Sequence, residues 1–314
     1  MRLLIAGGSS FVGRAITWSA LQAGHDVTII NRGVTPVDFP DSVTRLVGDR
    51  HSDLSALDGL SFDATIDTIA YKPGDVRALA AALSGRGGHH VQISSISAYE
   101  EPAAAGATEA TATTYPDGSV DENAEITGVT YGPLKAACEY EAARQFGDAL
   151  SIVRPTYVIG SHDKTLRFPY WVARIARGGR VAVPTPRSVP LQWIDARDLG
   201  DFTVSVAERQ LTGAWHTASA PFAFGEVLSE IVRVVNPSAE LVDVDAAAVP
   251  EEKFPLWAGP EGSPILEMDS SAALAQGLVV RDLADSIRDT WAWVQTQPWA
   301  AHWLSESDEA ALLA

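Results

Sequence analysis

The sequence predicts an α/β fold, a doubly wound parallel sheet followed by a smaller, mostly helical C-terminal part. A strand, glycine turn and helix open the chain, apolar runs alternate with helical patterns up to residue 155, and the character changes beyond it. Each element follows in order.

Arg2 to Ala6 is an apolar run that reads as the first strand, and Gly7-Gly8-Ser9-Ser10-Phe11-Val12-Gly13 is a turn. Arg14 to Ala23 is a helix that Gly24 can stop, and Val27 to Ile30 is a second strand ending in Asn31-Arg32-Gly33. A strand that passes into a helix through glycines aims backbone N–H groups and the positive end of the helix dipole at one place. A pyrophosphate can sit there. Gly7 and Gly8 permit the tight turn, and Gly13 lets the helix lie against the strand. The G-x-G-x-x-G fingerprint is incomplete, because Ser10 stands at its middle glycine. Its place between strand and helix points to nucleotide binding, with a plain structural turn as the alternative.

Val43 to Val47 is a third strand ending in Gly48-Asp49-Arg50, and Ala64 to Ile69 is a fourth. After an alanine-rich helix over Gly74 to Leu83, His90 to Ser94 forms a fifth strand that runs into Ser95-Ile96-Ser97-Ala98-Tyr99. Tyr99 to Val129 has no Lys or Arg and no sustained period, so it reads as a long loop, either a lid over substrate or partly disordered. Thr130 to Phe146 is a helix and Leu150 to Pro155 a sixth strand.

Beyond it come a helix over Phe168 to Arg177, a break at Gly178-Gly179, and a Pro-rich crossing from Pro184 to Pro190 that leads to Leu191-Gln192-Trp193-Ile194. Asp195 to Arg209 is helical, Gly213 to Thr217 is a strand, and from Phe222 on the patterns are mostly helical, ending in an amphipathic helix over Asp285 to Val294. Residues 1–160 and about 185–220 are therefore expected to form a dinucleotide-binding domain, with 161–184 and 221–314 binding substrate.

At 314 residues, 46% hydrophobic and 20% charged, the chain can bury a full core. No apolar run approaches the roughly 20 residues of a membrane helix, and the start lacks a signal-peptide layout. A cytoplasmic address is expected, and the lone Cys138 excludes an internal disulfide. The net charge of −17 weighs against nucleic acid as a partner, although solubility explains it equally well. No metal-ligand spacing and no G-x-S-x-G elbow is visible, so no metal is expected.

Tyr131-Gly132-Pro133-Leu134-Lys135 puts a phenol and an ammonium on one helix face. A nearby cation favours the phenolate and makes tyrosine a usable acid/base; an ordinary surface pair is the other reading. Ser94 and Ser95 stand at the C-terminal end of the fifth strand, where open parallel sheets bind ligands.

Together these residues resemble an extended or atypical short-chain dehydrogenase/reductase of the NAD-dependent epimerase/dehydratase group. The resemblance rests on Gly7-Gly8-x-x-Phe11-Val12-Gly13, Asn31-Arg32-Gly33, Gly48-Asp49-Arg50, Ser94-Ser95 with Tyr99, and Tyr131-x-x-x-Lys135. Arg154-Pro155 with Gly160 and Gln192-Trp193-Ile194-Asp195-x-x-Asp198-Leu199 extend it over about two thirds of the chain. It implies a Rossmann-type sheet. It also implies that Tyr131 is the acid/base, that Lys135 binds the nicotinamide ribose and lowers the tyrosine's pKa, and that Ser95 polarises the substrate. The cofactor is then expected along Gly7, Gly8, Ser9, Ser10, Phe11, Val12, Gly13, Asn31, Arg32, Asp49 and Arg50, and on past Ala70, Tyr71, Ser94, Tyr131, Lys135, Pro155 and Tyr157. Extended members often pair through helices, so a homodimer is an expectation from resemblance only.

Asn31 and Arg32 replace the acidic residue that NAD-preferring enzymes place after the second strand. An amide and a guanidinium suit the 2′-phosphate, so NADP(H) is expected over NAD(H), unless Arg32 merely points into solvent. Nucleotide-sugar members carry an asparagine and an arginine that anchor the diphosphate; here those positions hold Tyr157 and Leu191. Arg167, Arg174 and Arg187 could substitute, or be surface arginines. Ser97, Tyr157, His162, Trp171 and Trp193 are candidate substrate contacts, as are Phe168 and Trp257, though each aromatic is also a core candidate and His162-Asp163 also fits a turn.

The reading that follows is an NADP(H)-dependent oxidoreductase of a small carbonyl or alcohol compound. The alternatives are an epimerase or dehydratase of a sugar-type substrate and a non-catalytic nucleotide- or RNA-binding relative.

Overall fold

The structure, a computed structural model, describes residues 1–99, 104–114, 120–248, 253–298 and 303–314. In chain order β1 (Arg2–Ala6), α1 (Phe11–Gln22), β2 (Asp26–Asn31), β3 (Thr44–Val47), β4 (Ala64–Asp67), α2 (Pro73–Leu83), β5 (His89–Ile93), α3 (Gly128–Phe146) and β6 (Leu150–Pro155) come first. Next are β7 (Tyr157–Ile159), α4 (Arg167–Ala176), β8 (Arg180–Pro184), β9 (Pro190–Leu191), β10 (Trp193–Asp195), α5 (Ala196–Arg209) and β11 (Gly213–Thr217). The chain ends in β12 (Phe222–Ala223), α6 (Phe224–Val235), β13 (Glu240–Val244), α7 (Gly259–Gly262), α8 (Ser271–Ala275), α9 (Leu283–Val294) and α10 (Glu306–Leu312).

Seven strands form one sheet in the order β3-β2-β1-β4-β5-β6-β11, and every neighbouring pair is parallel. Strand order reverses between β1 and β4, which opens a crevice at their C-terminal ends. The two-residue period of a strand explains why the sheet is covered on both sides. Leu3 and Ile5 pack with Ile16 and Ala20 of α1 and with Leu199 and Phe202 of α5. Leu4 and Ala6 turn the other way, onto Leu79 and Leu83 of α2. Gly200 lets α5 press on α1, since a Cβ there would stand 3.0 Å from the Ala15 carbonyl.

A second core gathers Phe168, Tyr170 and Trp171 of α4 with Phe224, Val227 and Ile231 of α6 and Ile287 of α9. Helices lead here as expected, but three small strand pairs join them: β7–β10 and β8–β13, both parallel, and the antiparallel β9–β12. Glu240–Val244, expected within the helical patterns, is a strand because Leu241, Val242 and Val244 pair along Val181, Ala182 and Pro184.

Part of the long segment from Tyr99 to Val129 lies outside the described residues. Over 104–114 it is tied to neighbouring segments: Gly106 N donates to Glu267 O (2.7 Å), Asp269 N to Ala107 O (3.0 Å), and Thr114 N to Ala98 O (2.9 Å).

Candidate active site

The glycine turn is built by close packing. Gly7 has φ +91°, and a Cβ on it would stand 2.4 Å from Ile69 Cγ2; one on Gly13 would stand 2.4 Å from Gly7 O. Gly8 is enclosed by Ile29 and Thr17, whose hydroxyl donates to Gly8 O and Gly13 O at 2.9 Å each. Ser10 needs no glycine: it is the extended N-cap of α1, its side chain caps nothing, and the first turn holds no acidic residue. The amides at this helix end therefore face the crevice without a competing carboxylate.

From this turn a cleft of about 510 Å³ runs between Ser9 and Ser10, Asn31 and Arg32, Asp49 and Arg50, and Tyr71 and Lys72, with Ile126 and Lys164 on its far side. Of the expected cofactor residues, Gly7, Ser9, Ser10, Asn31, Arg32, Asp49, Arg50 and Tyr71 line it. Gly8, Phe11, Val12, Gly13, Ala70, Ser94, Tyr131, Lys135, Pro155 and Tyr157 do not. The first four shape the turn and its packing, and Ala70 is fully buried.

The residues on the wall are partly committed to one another. Asn31 Oδ1 accepts from Gly33 N at 2.7 Å, which spends the amide oxygen on its own turn. Asp49 Oδ1 accepts from His51 N at 3.0 Å. The Arg50 guanidinium grips buried Asp67 (2.9 and 3.0 Å); burial pushes that carboxyl's pKa up, and the Arg50 charge and hydrogen bonds hold it below the ordinary value. Arg32 is exposed and has no partner among the described residues.

The residues expected to act on substrate lie at the end of β5 and in the first turns of α3. Ser95 Oγ accepts from Ser97 N (3.1 Å) and donates to Ser97 Oγ (3.2 Å), so Ser97 braces the serine rather than standing apart for substrate. Tyr131 sits in the first turn of α3, where Thr127 caps Thr130 N. Burial raises the phenol's pKa, while hydrogen bonding with Ser95 and the Arg167 charge act downward. Ser94 Oγ is buried with no partner in the structure.

Lys135 corrects one expectation. Its ammonium donates to Ile93 O (2.7 Å) and Ala70 O (2.9 Å) and lies 5.6 Å from the centre of the Tyr71 ring. Its charge lowers the pKa of Tyr71, against a larger upward push from burial, and it is not among the groups that shift Tyr131. The cation whose charge acts on Tyr131 is Arg167, while two backbone carbonyls hold the lysine toward the strand ends.

Gly132 has a role its sequence position did not advertise. A Cβ there would stand 2.1 Å from Ser97 O, so only glycine lets α3 seat Tyr131 against the serine turn. In the Gly132→Ala protein the helix has to retreat. Steady-state kinetics should show kcat down about 100-fold, the order expected for a misplacement of about 1 Å, with cofactor binding retained.

Behind the site a buried network joins five segments. Arg154 donates to Glu139 (Nε to Oε1 2.9 Å, Nη2 to Oε2 2.6 Å) and to the Tyr99 hydroxyl, and that hydroxyl bonds His216 Nε2 at 2.6 Å. His216 N donates to Glu109 Oε1 at 2.9 Å. Burial pushes the Tyr99 phenol up to about 12, with Arg154 acting against it, so it stays a neutral link at ordinary pH.

Two substrate candidates fall elsewhere. Trp171 is fully buried, donates Nε1–H to Pro255 O at 2.6 Å and packs edge-on to Phe224, so it is core. His162 lies 5.5 Å from Trp293, and after burial the charges acting on it are those of Arg14 and Asp38, away from Tyr131. Trp193 is buried against Phe222 and pairs with Tyr157 between β10 and β7. Tyr157, Trp193, Phe168 and Leu191 share one small apolar pocket, and Trp257 is buried with Nε1–H on Pro186 O at 3.2 Å.

Among the described residues no group of three His, Cys, Asp or Glu stands close enough to hold a metal, and no helix is long and apolar enough to cross a membrane.

The fold is that of a Rossmann-type α/β protein, with Ser95, Tyr131 and Lys135 on the elements where an extended short-chain dehydrogenase/reductase is expected to carry them. The profile of the NAD dependent epimerase/dehydratase family matches residues 3–215, and the chain belongs to that family. No curated protein matches it in sequence. Among solved structures it is similar to a putative epimerase from Burkholderia cenocepacia J2315 (21% identity, 94% of this chain and 98% of that one, TM-score 0.73). It is also similar to the UDP-glucuronic acid 4-epimerase from Bacillus cereus in complex with NAD (14% identity, 94% and 99%, TM-score 0.70). A UDP-glucose 4-epimerase aligns at 17% identity over 95% and 98%, with TM-score 0.74. At such identities the likeness is one of fold.

Proposed function

We propose that this chain is a nicotinamide-dinucleotide-dependent epimerase or dehydratase of a sugar-type substrate, which oxidises its substrate transiently and then returns the hydride. The observation that carries it is the placement of Ser95 at the end of β5 and of Tyr131 in the first turn of α3, on the edge of the sheet that also opens the glycine-turn cleft, in a chain of this family. It displaces the free reductase expected from sequence as the leading reading.

The site suits a dinucleotide. Gly7 and Gly13 leave no room for a Cβ, the start of α1 is uncapped by side chains, and Ser94 Oγ is an unsatisfied buried polar atom at the strand end. The turn would hold the pyrophosphate and Asp49 the adenosine end. When bound, the nicotinamide supplies a reversible hydride acceptor. Tyr131 takes the proton of the substrate hydroxyl as the carbon is oxidised and gives it back on reduction, while Ser95 holds the same oxygen. Lys135, anchored on Ala70 O and Ile93 O, keeps a positive charge beneath the crevice.

Family and neighbours favour NAD over the NADP expected from Asn31 and Arg32. One observation favours the second reading, an NADP(H)-dependent reductase of a small carbonyl: Arg32 is unpaired on the cleft wall, free to meet a 2′-phosphate. Heat-denaturing the purified protein and quantifying released nucleotide separates them. Equimolar NAD supports the epimerase or dehydratase; protein that arrives empty and is stabilised by NADPH rather than NADH refutes it in favour of the reductase.

A further inference from the structure

We infer that Asp75 reads the base of the dinucleotide: the carboxylate oxygen it keeps unbonded accepts from the exocyclic amino group of an adenine. This rests on the reading that the glycine-turn cleft holds a nicotinamide dinucleotide, and it names the residue that sets which base the cleft takes.

Asp75 is the third residue of α2 and lines the cleft, although its side chain is only 5% exposed. Its Oδ2 accepts from Tyr71 N and Lys72 N at 2.9 Å each, which fixes the carboxylate at the helix start. Its Oδ1 is shut away from solvent and has no hydrogen-bond partner. The cations nearby are engaged with other groups. Arg50 gives its guanidinium to Asp67 and to the Asp75 carbonyl (3.2 Å), and the Lys72 ammonium donates to Asn123 O at 3.4 Å. Among the described residues the one ion-pair contact of Oδ1 is His51 Nε2 at 3.5 Å, on a cleft-wall side chain that is 72% exposed and that a ligand can displace. A carboxylate oxygen accepts and does not donate, so Oδ1 calls for an N–H or O–H, and a buried acceptor left without one is costly.

The surrounding wall selects a base over a sugar. Leu79 lies one turn on from Asp75 on the same face of α2, and Leu54 and Ile69 line the cleft with it. Apolar walls with a single acceptor suit a flat purine bearing an amino group, whereas the polar wall of Ser9, Ser10 and Asn31 suits sugar and phosphates. Asp49, which the family resemblance puts on the adenosine half, is less buried and spends Oδ1 on His51 N at 3.0 Å.

Asp75→Asn tests this without undoing the helix start, because the amide oxygen keeps Tyr71 N and Lys72 N while the other atom changes from acceptor to donor. Full-length wild type, Asp75→Asn and Asp49→Asn, freed of resident nucleotide on charcoal, are titrated by calorimetry with NAD and with nicotinamide hypoxanthine dinucleotide, whose base carries an oxo group in place of the amine. The 2′-phosphorylated pair is run in parallel. The readout is the ratio of dissociation constants for the two bases on one protein, so any loss of stability in a variant cancels. Wild type is expected to prefer adenine by about 10-fold or more, the scale of a hydrogen bond to a charged acceptor, and Asp75→Asn to abolish or invert that preference. A wild type that treats both bases alike, a ratio that only Asp49→Asn changes, or equal weakening of both bases in Asp75→Asn overturns the assignment and leaves Asp75 a helix-capping residue. Wild type that binds neither pair removes the dinucleotide reading and the base contact with it, whereas tight binding with an unchanged ratio removes only the base contact.

Discussion

The Tyr131→Phe enzyme is expected to lose about 10²–10⁴-fold in kcat, the usual contribution of a positioned acid/base, while cofactor binding stays near wild type. The ring that packs the first turn of α3 is unchanged, and only the oxygen beside Ser95 disappears. Burial holds the phenol's pKa above the ordinary tyrosine value, with Ser95 and Arg167 limiting the rise, so at neutral pH it carries its proton. It is then ready to donate on the reductive half and must be deprotonated on the oxidative half. Oxidation should therefore speed up as pH rises toward the alkaline range, and that limb should vanish in Tyr131→Phe. Turnover unchanged in the variant would assign the proton to another group, Tyr71 being the phenol whose ring lies 5.6 Å from the Lys135 ammonium.

The second large effect is on stability. Arg154 and Glu139 are both buried and paired at 2.6 Å, and removing one partner strands the other charge out of water. Arg154→Met is expected to cost about 3–5 kcal/mol, and Arg154→Met with Glu139→Leu to recover much of it, because a pair replaced by apolar groups leaves no orphan. Denaturant unfolding of the two proteins measures both. The single variant should also blur the active site, since Arg154 ties β6 and α3 to Tyr99, four residues after Ser95, and to the strap at Glu109. A single variant as stable as wild type, or a double variant no better than the single, would show the network to be weakly coupled.

Much of this was legible in the sequence because it depends on local pattern. Strands buried on both faces appear as short apolar runs, and β1 through β6 were found that way. Ser95 at the end of β5 and Tyr131 in the first turn of α3 lie where the strand and helix patterns put them, while their roles with Lys135 were expected from the family resemblance. What escaped depends on direction in space. The Tyr131/Lys135 spacing puts both on one helix face but cannot say that Ile93 and Ala70 carbonyls turn the ammonium away from the phenol. Trp171 carries the same apolar signal whether it lines a pocket or fills a core, and only its neighbours Phe224 and Pro255 decide. Glu240–Val244 is a strand because of Arg180–Pro184, about 60 residues away, a partner no local period reveals. Gly132 matters through a single close approach, to Ser97 O.

The most direct measurement is a crystal structure of the protein with its dinucleotide bound. Hydride exchange at this site requires the pyrophosphate on the amides of the Gly7–Gly13 turn and the nicotinamide ring beside the Tyr131 hydroxyl, with Ser95 on the substrate side. A nicotinamide seated away from Tyr131, or a dinucleotide bound outside the crevice between β1 and β4, would contradict it.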